Sequence, residues 1–127
     1  MHIEELREYC LSKPFTTESF PFNEEVLVFK VLGKMFLLTN IHERPVSFNV
    51  KCDPDKALEL RETYSCVKAG YHMNKHYWNT ITCESGVSKK LLKAWIDHSY
   101  EEVAKGLPRK EREKLEKPAA KKSKRSE

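Results

Sequence analysis

VLVFKVLGKMFLLTNIHERPVSFNVK, residues 26–51, decides the fold. β-Branched and aromatic side chains crowd residues 26–31, 34–40 and 45–51, and the runs are separated by Leu32-Gly33 and by Ile41-His42-Glu43-Arg44. Short apolar runs divided by turn residues predict three consecutive antiparallel strands. The third run alternates most clearly: Val46, Phe48 and Val50 share one face, and Ser47, Asn49 and Lys51 the other. The sheet therefore has a wet side. The first two runs are apolar throughout, as befits central strands.

Working outward, Asp53-Pro54 is an N-cap followed by proline at the first helical position, and Ala57, Leu58, Arg61 and Tyr64 follow at helical spacing, so residues 54–64 are expected to be helical. At the amino end, Ile3, Leu6 and Cys10 recur at helical spacing with Glu4 and Glu5 in the first turn, and Pro14 closes that helix. Residues 15–25, FTTESFPFNEE, read as a link. Val67 to Cys83 reads as two more strands. Leu91, Leu92, Trp95, Ile96, Ser99 and Val103 form the stripe of a long amphipathic helix that Gly106 ends, and Pro108 opens a short charged one. The expected class is α/β in the α+β sense: a two-layer α-β3-α-β2-α arrangement with helices on one face of an antiparallel sheet of about five strands. The other face is left to solvent or to a partner.

The 127 residues suit one domain, with 39% hydrophobic residues for a core and 33% charged residues for its surface. No apolar run approaches the ~20 residues of a membrane span. The opening MHIEELREYC has neither a basic nor an apolar leader segment, so a cytoplasmic protein with no membrane partner is expected. Cys10, Cys52, Cys66 and Cys83 are widely spread, without a CxxC pair, and read as reduced, mostly buried thiols. The formal charge of +4 is uneven. From Lys105 onward there are 10 Lys/Arg and 4 Asp/Glu, whereas residues 1–104 hold 13 and 15. The domain is expected over residues 1–116, and residues 117–127 are expected to be a disordered basic tail.

Candidate chemistry concentrates in GYHMNKHYWNT, residues 70–80, which carries no acid. His72 and His76 have the HxxxH spacing that binds zinc on a helix, but Tyr71, Tyr77 and Trp78 favour a strand, where the two rings stand ~13 Å apart at ~3.3 Å per residue. No metal or other cofactor is expected. Asp97-His98-Ser99 cannot form a catalytic relay, because helix neighbours project about 100° apart. With no phosphate-cradling or nucleophile motif either, no enzymatic activity is expected. Nucleic-acid binding asks for cations, amides and aromatics, all present here, and Lys30, Lys34 and Lys51 extend the positive surface. The excess of acids over residues 1–104 argues against it unless charge is segregated. A protein-interaction or small-ligand module using the exposed sheet face is the open alternative.

The succession PFNEEVLVFKVLGKMFLL (21–38), RPVSFNVKCDP (44–54), GYHMNKHYWNT (70–80) and IDHSYEEV (96–103) closely resembles the MmcQ/YjbR family of small bacterial proteins, from about residue 2 to residue 115. The resemblance implies the same α-β3-α-β2-α domain, similar to secretion-chaperone-like and CyaY-like (frataxin-like) folds, and a "double wing" DNA-binding role. The family's basic and polar motif positions correspond to Lys30, Lys34, Asn49, Lys51, His72, Asn74, Lys75, Trp78 and Asn79. Of these, Lys51, His72, Asn74, Lys75 and Asn79 have no evident structural duty and are expected to be contacts. The chain departs from the family at Asn23, where glycine is usual, and at Tyr77. Asn tolerates the left-handed conformation, so the turn survives the first departure.

Overall fold

The computed structural model describes residues 1–70, 73–84 and 86–116. Helix α1 covers Ile3–Leu11, strand β1 Thr16–Ser19, β2 Val26–Val31, β3 Lys34–Asn40 and β4 Ser47–Lys51. Helix α2 covers Pro54–Thr63, β5 Val67–Ala69, β6 Trp78–Thr82, α3 Lys89–Lys105 and α4 Arg109–Glu116. The six strands form one sheet in the order β1-β2-β3-β4-β6-β5, and every neighbouring pair is antiparallel.

The expected architecture holds, with two local corrections. The link expected over residues 15–25 contains β1, so the sheet has six strands rather than five. Thr16 and Glu18 turn toward the helix layer, where Glu18 takes both ends of the Arg7 guanidinium at 2.5–2.7 Å, so this edge strand lacks the apolar alternation that announces a strand. The second correction is the stretch at 70–80. Among its described residues only Trp78, Asn79 and Thr80 belong to a strand, and residues 75–77 form a turn. The expected tail, 117–127, lies outside the described residues.

One face of the sheet carries the main core. Leu27, Phe29 and Val31 of β2, Phe48 and Val50 of β4, and Ile81 of β6 pack against Leu6 and Cys10 of α1, Ala57 and Leu60 of α2, and Leu92, Trp95, Ile96 and Val103 of α3. Asp53 caps α2 by accepting from the Lys56 N–H at 3.2 Å, and Ser88 caps α3 by accepting from the Leu91 N–H at 3.0 Å. Between β2 and β3 the chain turns on two residues, Leu32 at φ 47° and Gly33 at φ 87°. This left-handed pair matches the twist of a two-residue hairpin.

The Asp97-His98-Ser99 triplet disperses in three directions. Asp97 accepts from Tyr9 Oη at 2.6 Å and Lys13 Nζ at 2.5 Å, tying α3 to α1. His98 Nε2 accepts from the Asp53 N–H at 3.2 Å, at the start of α2. Ser99 is fully buried and enters the sheet, where its hydroxyl donates to the Phe36 carbonyl at 2.6 Å and accepts from the Lys51 N–H at 2.8 Å.

Candidate nucleic-acid interface

Register places most of the sequence candidates at one end of the sheet. Val31 lies opposite Lys34, Lys51 opposite Trp78, and Ala69 opposite Asn79. The β2–β3 turn, the last residue of β4 and the connection from β5 to β6 therefore share an end. Lys30, Lys34, Lys51, Asn74, Lys75 and Trp78 converge there. The centres of the β2–β3 and β5–β6 tips are three strand spacings apart, about 14 Å at ~4.8 Å per strand. That span is comparable with the ~12 Å width of the DNA major groove.

The lysines at this end are not held in ion pairs, although Asp53 and Asp55 follow Lys51 at the start of α2. Among the described residues, Lys30, Lys34, Lys51, Lys68 and Lys75 form no ion pair, whereas Arg7, Lys13, Lys89 and Lys105 in the helix layer each pair with a carboxylate. Glu24, Glu25, Glu43 and Glu84 are exposed in the connections at the opposite end of the sheet. Residues 1–116 hold 18 Lys/Arg and 18 Asp/Glu, and within that neutral total the strand ends and turns are basic at one end of the sheet and acidic at the other. This is the segregation that nucleic-acid binding requires of such a composition.

The connection carrying Lys75 is held from within. Asn74 Oδ1 accepts from the His76 N–H at 2.9 Å, and the Asn74 carbonyl accepts from Tyr77 and Trp78 N–H at 3.1 and 3.0 Å. Arg61 of α2 reaches underneath: its Nε donates to Asn79 Oδ1 at 2.6 Å, and its Nη2 to the carbonyls of Lys75 and Trp78. Gly70 opens the connection pressed on the next strand. A Cβ there would sit 2.7 Å from Trp78 Cβ and 2.8 Å from the Trp78 carbonyl oxygen.

Two candidates have structural duties instead. Asn79, expected to be a contact, is fully buried on the helix side, where its Nδ2 donates to the Ala57 carbonyl at 3.2 Å and its Oδ1 takes Arg61. Trp78 is buried against Val28 and Leu38 on the open face. Asn74 is exposed, but its side-chain oxygen is committed to the turn. Asn49 lies on the open face, accepting from Thr80 Oγ1 at 2.5 Å. His72 falls outside the described residues. Lys30, Lys34, Lys51 and Lys75 stay accessible, and sequence reasoning missed Lys68, which joins the open face opposite Thr80. Its signal is the alternation Val67-Lys68-Ala69.

The open face also carries a trough of about 810 Å3. Phe22, Val26, Met35, Leu38 and Met73 give it apolar walls, while Asn40, Ser47, Asn49 and Thr80 add polar groups and Glu43 stands at its acidic end. Among the described residues no group of three or more His, Cys, Asp or Glu side chains is placed to hold a metal ion.

Comparison with known proteins agrees with the fold. The family model described as YjbR matches residues 11–102. The uncharacterized protein YbdF of Escherichia coli is 33% identical over 88% of this chain and 92% of its own length. The uncharacterized protein YjbR of Escherichia coli is 28% identical over 91% of this chain and 98% of its own. The crystal structure of a Deinococcus radiodurans protein with the domain DUF419 superposes with a TM-score of 0.83 at 38% identity, covering 91% of this chain and 88% of that one. A Pseudomonas syringae protein shares the fold at a TM-score of 0.68 and 22% identity, covering 80% and 97%.

Proposed function

The chain belongs to the YjbR family, and on that premise we propose that it is a non-enzymatic, cytoplasmic protein that sets the basic end of its sheet against duplex DNA. The observation that carries this reading is the gathering of four accessible lysines that form no ion pair among the described residues, Lys30, Lys34, Lys51 and Lys75, onto two hairpin tips and the strand end between them. Tips about 14 Å apart, by strand spacing, straddle a groove edge and bring ammonium groups to phosphates on both sides. Trp78 and Asn79 act behind this surface by fixing the strand that carries it. Phosphate contacts of this kind give affinity and position more than base specificity.

Fluorescence-anisotropy titration of duplex DNA across a salt series tests the reading, with the full chain and with a chain ending at Glu116. Four phosphate contacts give a slope of log affinity against log salt of about −3.6, at ~0.9 per contact. Lys51→Ala and Lys75→Ala should each reduce that slope by about 1 without changing the unfolding midpoint. Binding that disappears with the tail, or that heparin displaces as readily as DNA, would reject the folded surface as the reader.

A second reading, a protein- or small-ligand-binding module, is favoured by the trough on the open face. It predicts binding that persists at high salt, because apolar burial is not screened.

A further inference from the structure

We infer that the trough on the open face receives an unpaired nucleobase, as part of a single-stranded or locally opened nucleic acid whose phosphates rest on the surrounding lysines. This deepens the nucleic-acid reading and rests on it for the basic rim, while the trough supplies its own evidence.

The two asparagine amides of the trough have a one-sided polar capacity, beside the Glu43 carboxylate and the Ser47 hydroxyl. Asn49 Oδ1 is taken by Thr80 Oγ1 at 2.5 Å, and Asn40 Oδ1 by the His42 N–H at 2.9 Å. Neither Nδ2 group donates to a partner among the described residues, so what the two amides have left to offer is hydrogen-bond donation. Asn40 and Asn49 lie on adjacent strands, two positions out of step, which separates them by about 8 Å from the strand spacing and rise. An occupant that satisfies both amides therefore carries acceptors at more than one point along its length.

Lysines neighbour the trough on three strands, while the charged residue in its own lining is Glu43 at the acidic end. Lys30 lies opposite Met35, Lys68 lies opposite Thr80, and Lys51 follows Asn49 on the same face of β4. The side chains of Phe22, Met35 and Met73 offer soft, polarisable surfaces for a flat ring. A volume of about 810 Å3 lies within the ~300–1,000 Å3 typical of small-molecule sites. Flat rings, acceptors distributed along the molecule and a negative charge at the rim are together the chemistry of a nucleotide. A fatty-acid-like anion offers its acceptors at one end only and leaves one amide unpaired.

The test uses the full chain in two arms. In the first, adenosine and thymidine 5′-monophosphates are titrated into isotope-labelled protein, with sodium laurate as the contrasting ligand. The inference expects nucleotide-dependent shifts at Asn40, Asn49, Met73 and Thr80. Nucleotide shifts confined to lysine-bearing positions, no shifts at all, or trough shifts with laurate alone would overturn it. In the second arm, single-stranded DNA containing 2-aminopurine is bound by the native chain and by Phe22→Ala and Asn49→Ala. Affinity for the single strand should fall about tenfold in each variant, in keeping with one stacked base, while heparin affinity stays within about twofold. Phe22 is 63% exposed, so its variant does not disturb the core. Equal losses for the single strand and heparin would overturn the inference. Trough shifts with nucleotide in a protein that does not bind duplex DNA would uphold it and reject the duplex reading instead.

Discussion

Replacing Ser99 by alanine should cost far more than one surface hydroxyl. Continuing the register of β3 and β4 past Leu37 and Val50 would set Phe36 opposite Lys51, but the ladder stops at that point. The buried Ser99 hydroxyl stands in the gap, joined to the Lys51 N–H at 2.8 Å and the Phe36 carbonyl at 2.6 Å. The register shift between β2 and β3 leaves Phe36 without a partner on its other side, because Leu37 pairs with Phe29 and Met35 with Lys30. Ser99→Ala thus orphans one part-buried donor and one buried acceptor, at ~1–3 kcal/mol each. The total is about 3 kcal/mol once partial relaxation of the strands is allowed. Urea unfolding followed by tryptophan emission should show the midpoint fall by about 2 M at an unchanged slope of ~1.5 kcal/mol/M. Thr39→Val is the control, since it removes one hydroxyl donating to a single carbonyl, that of Ser47 at 2.7 Å, and should cost only ~1 kcal/mol. A Ser99→Ala loss below that of Thr39→Val would refute the argument, because it would mean that the strands close and remake the direct bond.

Three further outcomes follow from features of the same core. Gly70→Ala should destabilise the domain by ~1–3 kcal/mol, because the new methyl meets strand backbone and not a flexible side chain; unfolding midpoints check it. Burial pushes the His98 imidazole below its ordinary value of 6.5, so the unfolded chain binds the proton more readily. Stability from this residue is complete above about pH 6.5 and declines as pH falls below it, and His98→Gln should flatten that decline in midpoints measured from pH 7.5 to pH 5. Burial also pushes all four thiols up, Cys10 to about 12 and Cys52 to about 11, so at pH 8 a disulfide reagent should label Cys83 first because it is the more accessible, and all four only in urea.

The parts of the fold that were legible in the sequence are those where local chemistry and tertiary environment agree. Val46, Phe48 and Val50 alternate because one face of β4 meets the core, and Asp53-Pro54 starts a helix for reasons within its own turn. β1 was illegible because it lies at an edge, with polar side chains on both faces and Arg7 supplied from another element. The aromatics misdirected the reading of the 70–80 stretch in part: Trp78 does begin β6, whereas Tyr77 lies in the turn before it. Asn79 looked like a surface amide because its partners, Arg61 and the Ala57 carbonyl, are 18 and 22 residues away. The lysines were identifiable one by one. Their convergence was not, because it depends on β6 pairing with β4 across an intervening helix and strand.

Arg61 has a consequence for how this surface responds to a load. Its guanidinium is anchored in α2 on one side of the sheet and grips the carbonyls of the segment that carries Lys75. Whatever pulls on that segment pulls on α2, as a rope passed through a wall moves both rooms. The far layer should register occupancy of the near one: amide protons of α2 exchange more slowly when the basic end is filled, and Arg61→Lys, which lacks the fork, severs that mechanical link while leaving the lysines themselves in place.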